Sequence, residues 1–185
     1  MFNKKCEVSL MNEFLSEESI AMHSEYVRGK RLKYSIIESS VMGLHGLSVL
    51  DIYRLKMTDR DRRDSISLLT EIRLHEIFFS SFISSRYPHS DMVVRAYGSE
   101  ASFLNELYRL CLLQHYGFVC VYQRRGKISA DGFSDLENAF THGEPLLAID
   151  VCEHAYFLDY GFDKERYLVS ALPYLDIARL SLDSD

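Results

Sequence analysis

The spacing of apolar residues changes at Gly117, from a helical pattern before it to a strand pattern after it. Before this glycine, helical patterns run from Ser16 to about Met57, with a break at Gly43 to Gly46, and from about Ser65 to Ile83. The charged segment TDRDRRD separates the two patterns. The first half of the chain is therefore predicted to form an antiparallel helical hairpin, which ends near Pro88 because proline disfavours helix on both sides.

The second half combines helices with strands. A helical pattern, SFLNELYRLCLLQHY, ends at Gly117, and the strand-like segments FVCVYQRR, GKISADGF and PLLAIDVC follow it. Arg125, Gly126 and Lys127 have the composition of a hairpin turn, and the pattern after Cys152 is helical again. The predicted fold class is α+β: an N-terminal helical hairpin domain, residues 1–88, followed by an α/β domain with a three-stranded antiparallel sheet, residues 89–185.

The composition argues against several classes of protein. A net charge of −6 opposes nucleic-acid binding, although RGKRLK at residues 28–33 gathers four positive charges. No apolar run approaches the roughly 18 residues that a membrane-spanning helix needs. The four cysteines are widely spaced, form no CxxC pair and follow no secretory pattern. We therefore expect reduced thiols in a cytoplasmic protein.

Asp150 and His154 form the sharpest candidate site. An apolar strand that ends in Asp150, followed by a turn into a helix that presents His154, can aim both side chains at one point. Carboxylate together with imidazole suits iron, manganese or zinc. The same spacing is also typical of an ordinary hydrogen bond, so the pair by itself leaves both interpretations open.

The residues around this pair carry a family resemblance. PLLAIDVCEHAYFLDYGFDKERYL resembles the signature of the iron/manganese superoxide dismutases, in which an apolar strand leads into D-V-W-E-H-A-Y-Y. Cys152 and Phe157 replace the Trp and the second Tyr of that string. AYGSEASFLNEL and HYGFVCVY are similar to further motifs of the family, and the resemblance covers about Ser16 to Arg179.

The resemblance implies a metal site between the two predicted domains. Asp150 and His154 match two family ligands, and the helices of the hairpin match the other two with His23 in SIAMHSEYV and His75 in LHEIFFSSF. These four residues would hold one iron or manganese per chain and leave a fifth position open. The implied activity is the disproportionation of superoxide to dioxygen and hydrogen peroxide. The remaining histidines, which match no family ligand, are expected to be structural: His45, His89, His115 and His142.

The predicted substrate channel departs from the family. Four and eight residues after the first ligand, the family carries a His and a Tyr, where this chain has Val27 and Arg31. The family's channel His bonds across a dimer interface to the second Tyr of its string, which is Phe157 here, so both halves of that bond are absent together. We expect slow turnover with weak proton delivery. Arg31, with the other cations of RGKRLK, is expected to attract the anionic substrate.

Glu71 takes the place of an outer glutamine that iron-type members carry one helical turn before the second His ligand. A neutral Glu71 would donate a hydrogen bond as glutamine does, whereas an ionised one would favour the oxidised metal. A third interpretation pairs it with Arg73 or Lys56 in solvent. The chain also has no tryptophan, and Phe79, Phe118, Cys120 and Cys152 stand where the family packs large rings around its metal.

Two further functions fit the same residues. One is a metal-binding or structural relative that has lost turnover, and the other is a metalloenzyme that uses Glu71 as an additional ligand. The resemblance also implies a homodimer in which Glu153 of one chain bonds His154 of the other and so fixes the orientation of that imidazole.

Overall fold

A computed structural model describes residues 11–41, 43–54, 59–141 and 143–180. Helices come first and a small sheet follows, which confirms the predicted α+β class. The helices are α1 (Glu17–Ser40), α2 (Val49–Arg54), α3 (Asp59–Ser80), α4 (Asp91–Tyr97), α5 (Glu100–Leu113), α6 (Phe157–Tyr160) and α7 (Lys164–Ala171). The strands are β1 (Phe118–Arg124), β2 (Lys127–Phe133) and β3 (Leu147–Asp150). None of the described helices is both long and apolar enough to span a membrane.

The long helices α1 and α3 form the predicted antiparallel hairpin. Early residues of α1 face late residues of α3, as in the contact of His23 with Phe79, and later ones face earlier ones, as in the pair of Lys30 with Glu71. Ser16 caps α1, because its hydroxyl accepts a hydrogen bond from the backbone N–H of Ser19 at 3.1 Å. The hairpin therefore brings the start of α1 beside the end of α3.

Two helix boundaries differ from the prediction. The charged segment expected to separate the helices instead begins α3, which starts at Asp59. Arginine has high helix propensity, and aspartate is favoured at a helix N-terminus, so this composition is compatible with helix.

The break at Gly43 to Gly46 is confirmed, with φ of 91° and 71° at the two glycines. The expected end near Met57 lies outside the described residues. Helix α5 ends at Leu113, before Gly117, which instead leads into β1.

The sheet has the order β2-β1-β3, and both pairs of strands are antiparallel. Arg125 and Gly126, with φ of 48° and 69°, form the turn between β1 and β2, whereas Lys127, also predicted to belong to the turn, is the first residue of β2. Positive φ at both turn residues matches the right-handed twist of the flanking strands. All of β3 is buried, and Asp150 at its end lies opposite Phe118. The sheet thus carries a carboxylate into the interior.

Most buried apolar side chains of the described residues belong to one of two clusters. The larger one joins the sheet, the C-terminal helices and the end of the hairpin that carries Ile20 and Phe78. The smaller one lies towards the other end of the hairpin and consists of Tyr34, Leu44, Ile52, Ile66 and Ile72. The predicted domain boundary at Pro88 stays a prediction. The segment before it bonds to the C-terminal part, with Ile83 N–H donating to Tyr174 O at 2.9 Å.

Replacing Gly117 with alanine is expected to destabilise the protein strongly. Gly117 has φ of 98°, and a Cβ added there would lie 2.0 Å from the carbonyl oxygen of Phe133. Left-handed strain and the displacement of backbone together predict a loss of about 3 kcal/mol or more in the free energy of unfolding. Gly98→Ala is the matched control, since Gly98 has φ of 82° with open space around it. It should cost only about 1–2 kcal/mol. Urea unfolding of both variants measures the difference, and equal losses would contradict the role of the close approach.

Candidate metal centre

The four predicted ligands lie together in the structure. His23 of α1, His75 of α3, Asp150 at the end of β3 and His154 in the 3₁₀ turn after it each offer one ligand atom, and these atoms all lie within 4.8 Å of one another. The three other described histidines are elsewhere: His45 lies beside Glu38, His89 lies between Asp91 and Glu100, and His115 is exposed before β1. His142 lies outside the described residues.

Asp150 Oδ2 is the centre of this cluster. It lies 3.2 Å from His23 Nε2, 3.4 Å from His75 Nε2 and 3.0 Å from His154 Nε2. The Asp150 carboxylate is fully buried, yet Oδ2 and His23 Nε2 have no hydrogen-bond partner. Buried polar atoms are normally paired, and three imidazole nitrogens around one carboxylate oxygen are a donor set that suits iron, manganese or zinc. The arrangement fits a metal ion better than a hydrogen-bond network.

Neighbouring groups orient two of the four side chains. His75 Nδ1 lies 2.6 Å from the backbone oxygen of Glu71, a contact that assigns the proton to Nδ1 and leaves the Nε2 lone pair facing the cluster. Asp150 Oδ1 accepts a hydrogen bond from Cys152 N–H at 2.9 Å, which directs Oδ2 at the imidazoles. Tyr167 on α7 donates to the backbone oxygen of Asp150 at 3.1 Å.

Burial and the carboxylate set the protonation of the cluster. Burial would raise the pKa of Asp150, but the three imidazoles around it outweigh burial and hold this pKa well below its usual range. Burial lowers the pKa of His23, and Asp150 offsets the effect only in part. Burial would also lower the pKa of His154, but Asp150 and Glu71 raise it above the ordinary value. An ionised carboxylate beside a neutral His23 is the form that binds a metal cation.

Phenylalanines pack against the candidate ligands on the protein side. The His23 ring lies 5.2 Å from Phe78 and 5.0 Å from Phe79, and the His75 ring lies 5.0 Å from Phe118 edge to face. Phe79 and Phe118 are two of the positions where the sequence predicted smaller residues in place of the family's large rings.

Glu71 lies beside the cluster, and both of its carboxylate oxygens act as acceptors. Tyr26 donates to Oε1 at 2.5 Å, and Lys30 Nζ lies 2.8 Å from Oε2. Glu71 thus pairs with a cation, as one of the interpretations expected, but the cation is Lys30. The suggested partner Arg73 binds Glu76 and Glu144 instead. Lys56, the other suggested partner, lies outside the described residues.

Tyr26 is the residue that the sequence analysis missed. Its ring stacks on His154 with a centroid distance of 4.5 Å, and its hydroxyl binds Glu71. The signal was present in the spacing, because Tyr26 follows His23 by three residues and Glu71 precedes His75 by four, so both lie on ligand-bearing helix faces. A tyrosine hydroxyl therefore does reach the site. It comes from Tyr26 and not from position 31, where the family carries its channel tyrosine and this chain has Arg31.

The other predicted channel residues lie as follows. Val27 is buried inside the hairpin. Arg31, the side chain of which is 54% exposed, donates to Glu76 at 2.6 Å and so shares its charge with a carboxylate. Phe157 is exposed at the start of α6, and Glu153 is exposed in the preceding turn. The attraction of the anionic substrate by Arg31 stays a prediction. The cation that contacts Glu71 is Lys30 and not Arg31.

A cavity of about 340 Å³ opens onto His75 and His154. Its walls come from both halves of the chain: Tyr26 and Glu71 on the hairpin side, and Tyr116, Phe118 and the loop at residues 134–137 on the sheet side. The cavity is large enough to admit water and small anions to the two imidazoles.

Fold and site together define a class: a helical hairpin packed on a three-stranded α+β unit, with three histidines and an aspartate gathered at their junction. Residues 87–180 match the family model for the iron/manganese superoxide dismutases, C-terminal domain. The match covers about half of the chain, and the chain belongs to the iron/manganese superoxide dismutase family. Asp150 and His154 lie within the matched residues, whereas His23 and His75 precede them. No curated protein matches the chain.

Removing the Tyr167 hydroxyl is expected to weaken the support of Asp150. Tyr167→Phe would leave the buried backbone oxygen of Asp150 without this donor, at a cost of about 1–2 kcal/mol in the free energy of unfolding. Tyr156→Phe is the control, because Tyr156 stacks on Tyr167 at 4.8 Å through its ring. Chemical unfolding measures the free energy of unfolding of both variants. An unchanged value for Tyr167→Phe would show that the hydroxyl contributes nothing to stability.

Proposed function

We propose that the chain binds one iron or manganese through His23, His75, Asp150 and His154 and disproportionates superoxide to dioxygen and hydrogen peroxide. The observation that carries the proposal is the buried Asp150 Oδ2, which accepts no hydrogen bond although three imidazole nitrogens lie within 3.4 Å, in a chain of this family. Neither the carboxylate nor the imidazoles of such a cluster are well satisfied without a cation among them.

A bound metal would supply the one-electron chemistry, taking an electron from one superoxide and giving one to the next. The chain supplies the geometry: Asp150 and the three imidazoles hold the ion, and the cavity beside His75 and His154 admits superoxide. Two protons must be delivered to form each hydrogen peroxide. The Tyr26 hydroxyl and the Glu71 carboxylate border this cavity and form a hydrogen-bonded pair there. Lys30 offsets the charge of Glu71, which would otherwise repel an anion.

A second candidate is a metal-binding relative with little turnover. It is favoured by Val27 and Phe157, which place apolar groups where the family carries its channel hydrogen bond. Under this alternative the metal is bound and superoxide is consumed no faster than by the free ion. The use of Glu71 as an additional ligand is disfavoured, because both of its oxygens contact other donors.

We also propose that the protein works in a reducing compartment, the cytoplasm. The support is chemical: Cys111, Cys120 and Cys152 are free thiols. Burial raises the pKa of Cys111 and of Cys152 to about 12, so both are protonated at neutral pH.

Metal content and superoxide consumption, measured on the same preparation, test the proposal. Protein expressed with iron and manganese available should carry one redox metal per chain and consume superoxide at a rate that scales with metal content. Asp150→Asn keeps the shape of the side chain and removes its charge, so metal affinity should fall about 10-fold or more, the scale on which even outer contacts act.

His115→Ala is the control for that substitution, since His115 is exposed and lies outside the cluster. It should retain metal and activity. Wild-type protein that binds neither metal would refute the proposal, and metal without activity would establish the second candidate.

We propose a homodimer in which Glu153 of one subunit bonds His154 of the other. Glu153 is exposed, and α6 with the turn after it presents apolar side chains to solvent, with Phe157 43% and Phe162 82% exposed. Helix α6 lies at the start of α1, where Ser16 N–H donates to Asp159 at 2.8 Å. Burying such a patch would favour association.

Sedimentation equilibrium at micromolar concentration should accordingly show a dimer. Phe157→Arg should shift the protein to monomer, because a charge would be buried in the interface. Ile36→Arg, at an exposed apolar position near the end of α1, should leave the dimer intact. A monomeric wild type, or dissociation by both substitutions alike, would contradict the proposed interface.

A further inference from the structure

His154 is the least protected of the candidate ligands. Its side chain is 27% exposed, against 0% for His23 and Asp150 and 1% for His75. It stands on a 3₁₀ turn of three residues, Glu153–Ala155, and not on a long helix or a strand. Its polar contacts within the described chain go through Nε2, the nitrogen that faces the cluster. The proposed bond from Glu153 of the partner subunit would hold the imidazole from outside the chain. Within one chain, another contact must restrain it.

Tyr26 makes that contact. Its ring lies nearly parallel to the His154 ring, at an interplanar angle of 28° and a centroid distance of 4.5 Å. It also lies 5.6 Å from the His75 ring. Tyr26, His75 and His154 all line the cavity, so the tyrosine ring contacts both imidazoles at the edge of this cavity.

Tyr26 is itself held from both helices of the hairpin. Its hydroxyl donates to Glu71 Oε1 on α3 at 2.5 Å, and Lys30, one helical turn further along α1, lies 2.8 Å from Glu71 Oε2. The Lys30 ammonium also lies 5.0 Å from the centre of the Tyr26 ring, within reach of a cation–π contact. The Glu71 carboxylate is only 14% exposed, so the ion pair is partly shielded from solvent and salt. Tyr26, Lys30 and Glu71 form a closed unit, which we call the tyrosine clamp.

We infer that the tyrosine clamp positions the imidazole of His154: the Tyr26 ring holds the ligand ring in place, and the Lys30–Glu71 pair holds Tyr26. This inference rests on the proposed metal site. A ligand must swing away before a metal ion can leave, and the exposed His154 is the one that can do so most easily. Contacts beyond the ligands typically change metal affinity by about 10–100-fold. The clamp should therefore slow metal release on that scale.

The test compares metal release to an excess of chelator from manganese-loaded protein. Tyr26→Leu removes both the ring and the hydroxyl, and release should be about 10-fold faster or more than in the wild type. Tyr26→Phe keeps the stacked ring but loses the bond to Glu71, and Lys30→Met keeps the hydroxyl but loses the ion pair. Both should fall between wild type and Tyr26→Leu. Tyr116→Leu is the control, because Tyr116 lines the same cavity but is 59% exposed and belongs to no part of the clamp.

The second readout needs no metal. In metal-free protein with labelled histidine, the His154 ring signals carry a ring-current shift from Tyr26, stacked at 4.5 Å. Tyr26→Leu should remove that shift, Tyr26→Phe should keep most of it, and Tyr116→Leu should not alter it. This arm separates the inference from the proposed function: a wild type that binds no metal refutes the proposed function, and the ring signals still decide whether Tyr26 holds His154.

Two results would overturn the inference. One is release from Tyr26→Leu at the wild-type rate with unchanged His154 signals. The other is equal acceleration by Tyr26→Leu and Tyr116→Leu, since that would mean that any loss of bulk opens the cavity. If Tyr26→Leu does not fold, Tyr26→Phe and Lys30→Met decide the matter, and wild-type release from both would equally exclude the clamp.

Discussion

A carboxylate with no solvent exposure requires compensation, and the Asp150 carboxylate is the group on which the structure of this protein converges. Three imidazoles surround Oδ2, while a backbone N–H takes Oδ1. A buried charge without a counter-charge costs several kcal/mol, and the lone pair of a neutral His23 cannot neutralise it. A cation at the centre satisfies the carboxylate and the imidazoles together. The fold is thus arranged around a position that is favourable only when positive charge is supplied.

The two halves of the chain are joined at this position. His23 and His75 come from the hairpin, whereas Asp150 and His154 come from the end of β3 and the turn after it. The larger apolar cluster continues across the same junction and includes Phe78 on the hairpin side and Phe118 on the sheet side. Phenylalanines pack against His23 and His75, whereas His154 lies next to the cavity. We infer that His154 is held in position by the stacked ring of Tyr26. The hydrogen-bonding groups of the cavity are therefore Tyr26 and Glu71. They do not lie at positions 27 and 31, where the family carries its channel residues.

Much of this arrangement could be predicted from the sequence, and the reasons differ by element. The three strands and the turn at Arg125 and Gly126 follow from local patterns, because strand alternation and turn chemistry act over a few residues. The four clustered residues were found through motif resemblance, since spacing alone did not separate a ligand pair at Asp150 and His154 from an ordinary hydrogen bond. The start of α3 was mispredicted because charged residues suit both a loop and an exposed helix. The partners of Glu71 were missed because Tyr26 and Lys30 lie on another helix. Helical spacing places Tyr26 and Glu71 on ligand-bearing faces, but it does not show which side chains pair between two helices.

The central claim is that three imidazoles and one carboxylate of this chain form the coordination shell of a single metal ion. X-ray absorption at the metal edge of iron-loaded protein measures that shell directly. We expect a shell of nitrogen and oxygen only, with the outer scattering of about three imidazole rings. His154→Ala protein that retains metal should lose the contribution of one ring. A sulfur neighbour at bonding distance, which Cys152 beside the cavity would supply, or a shell without imidazole scattering would contradict it.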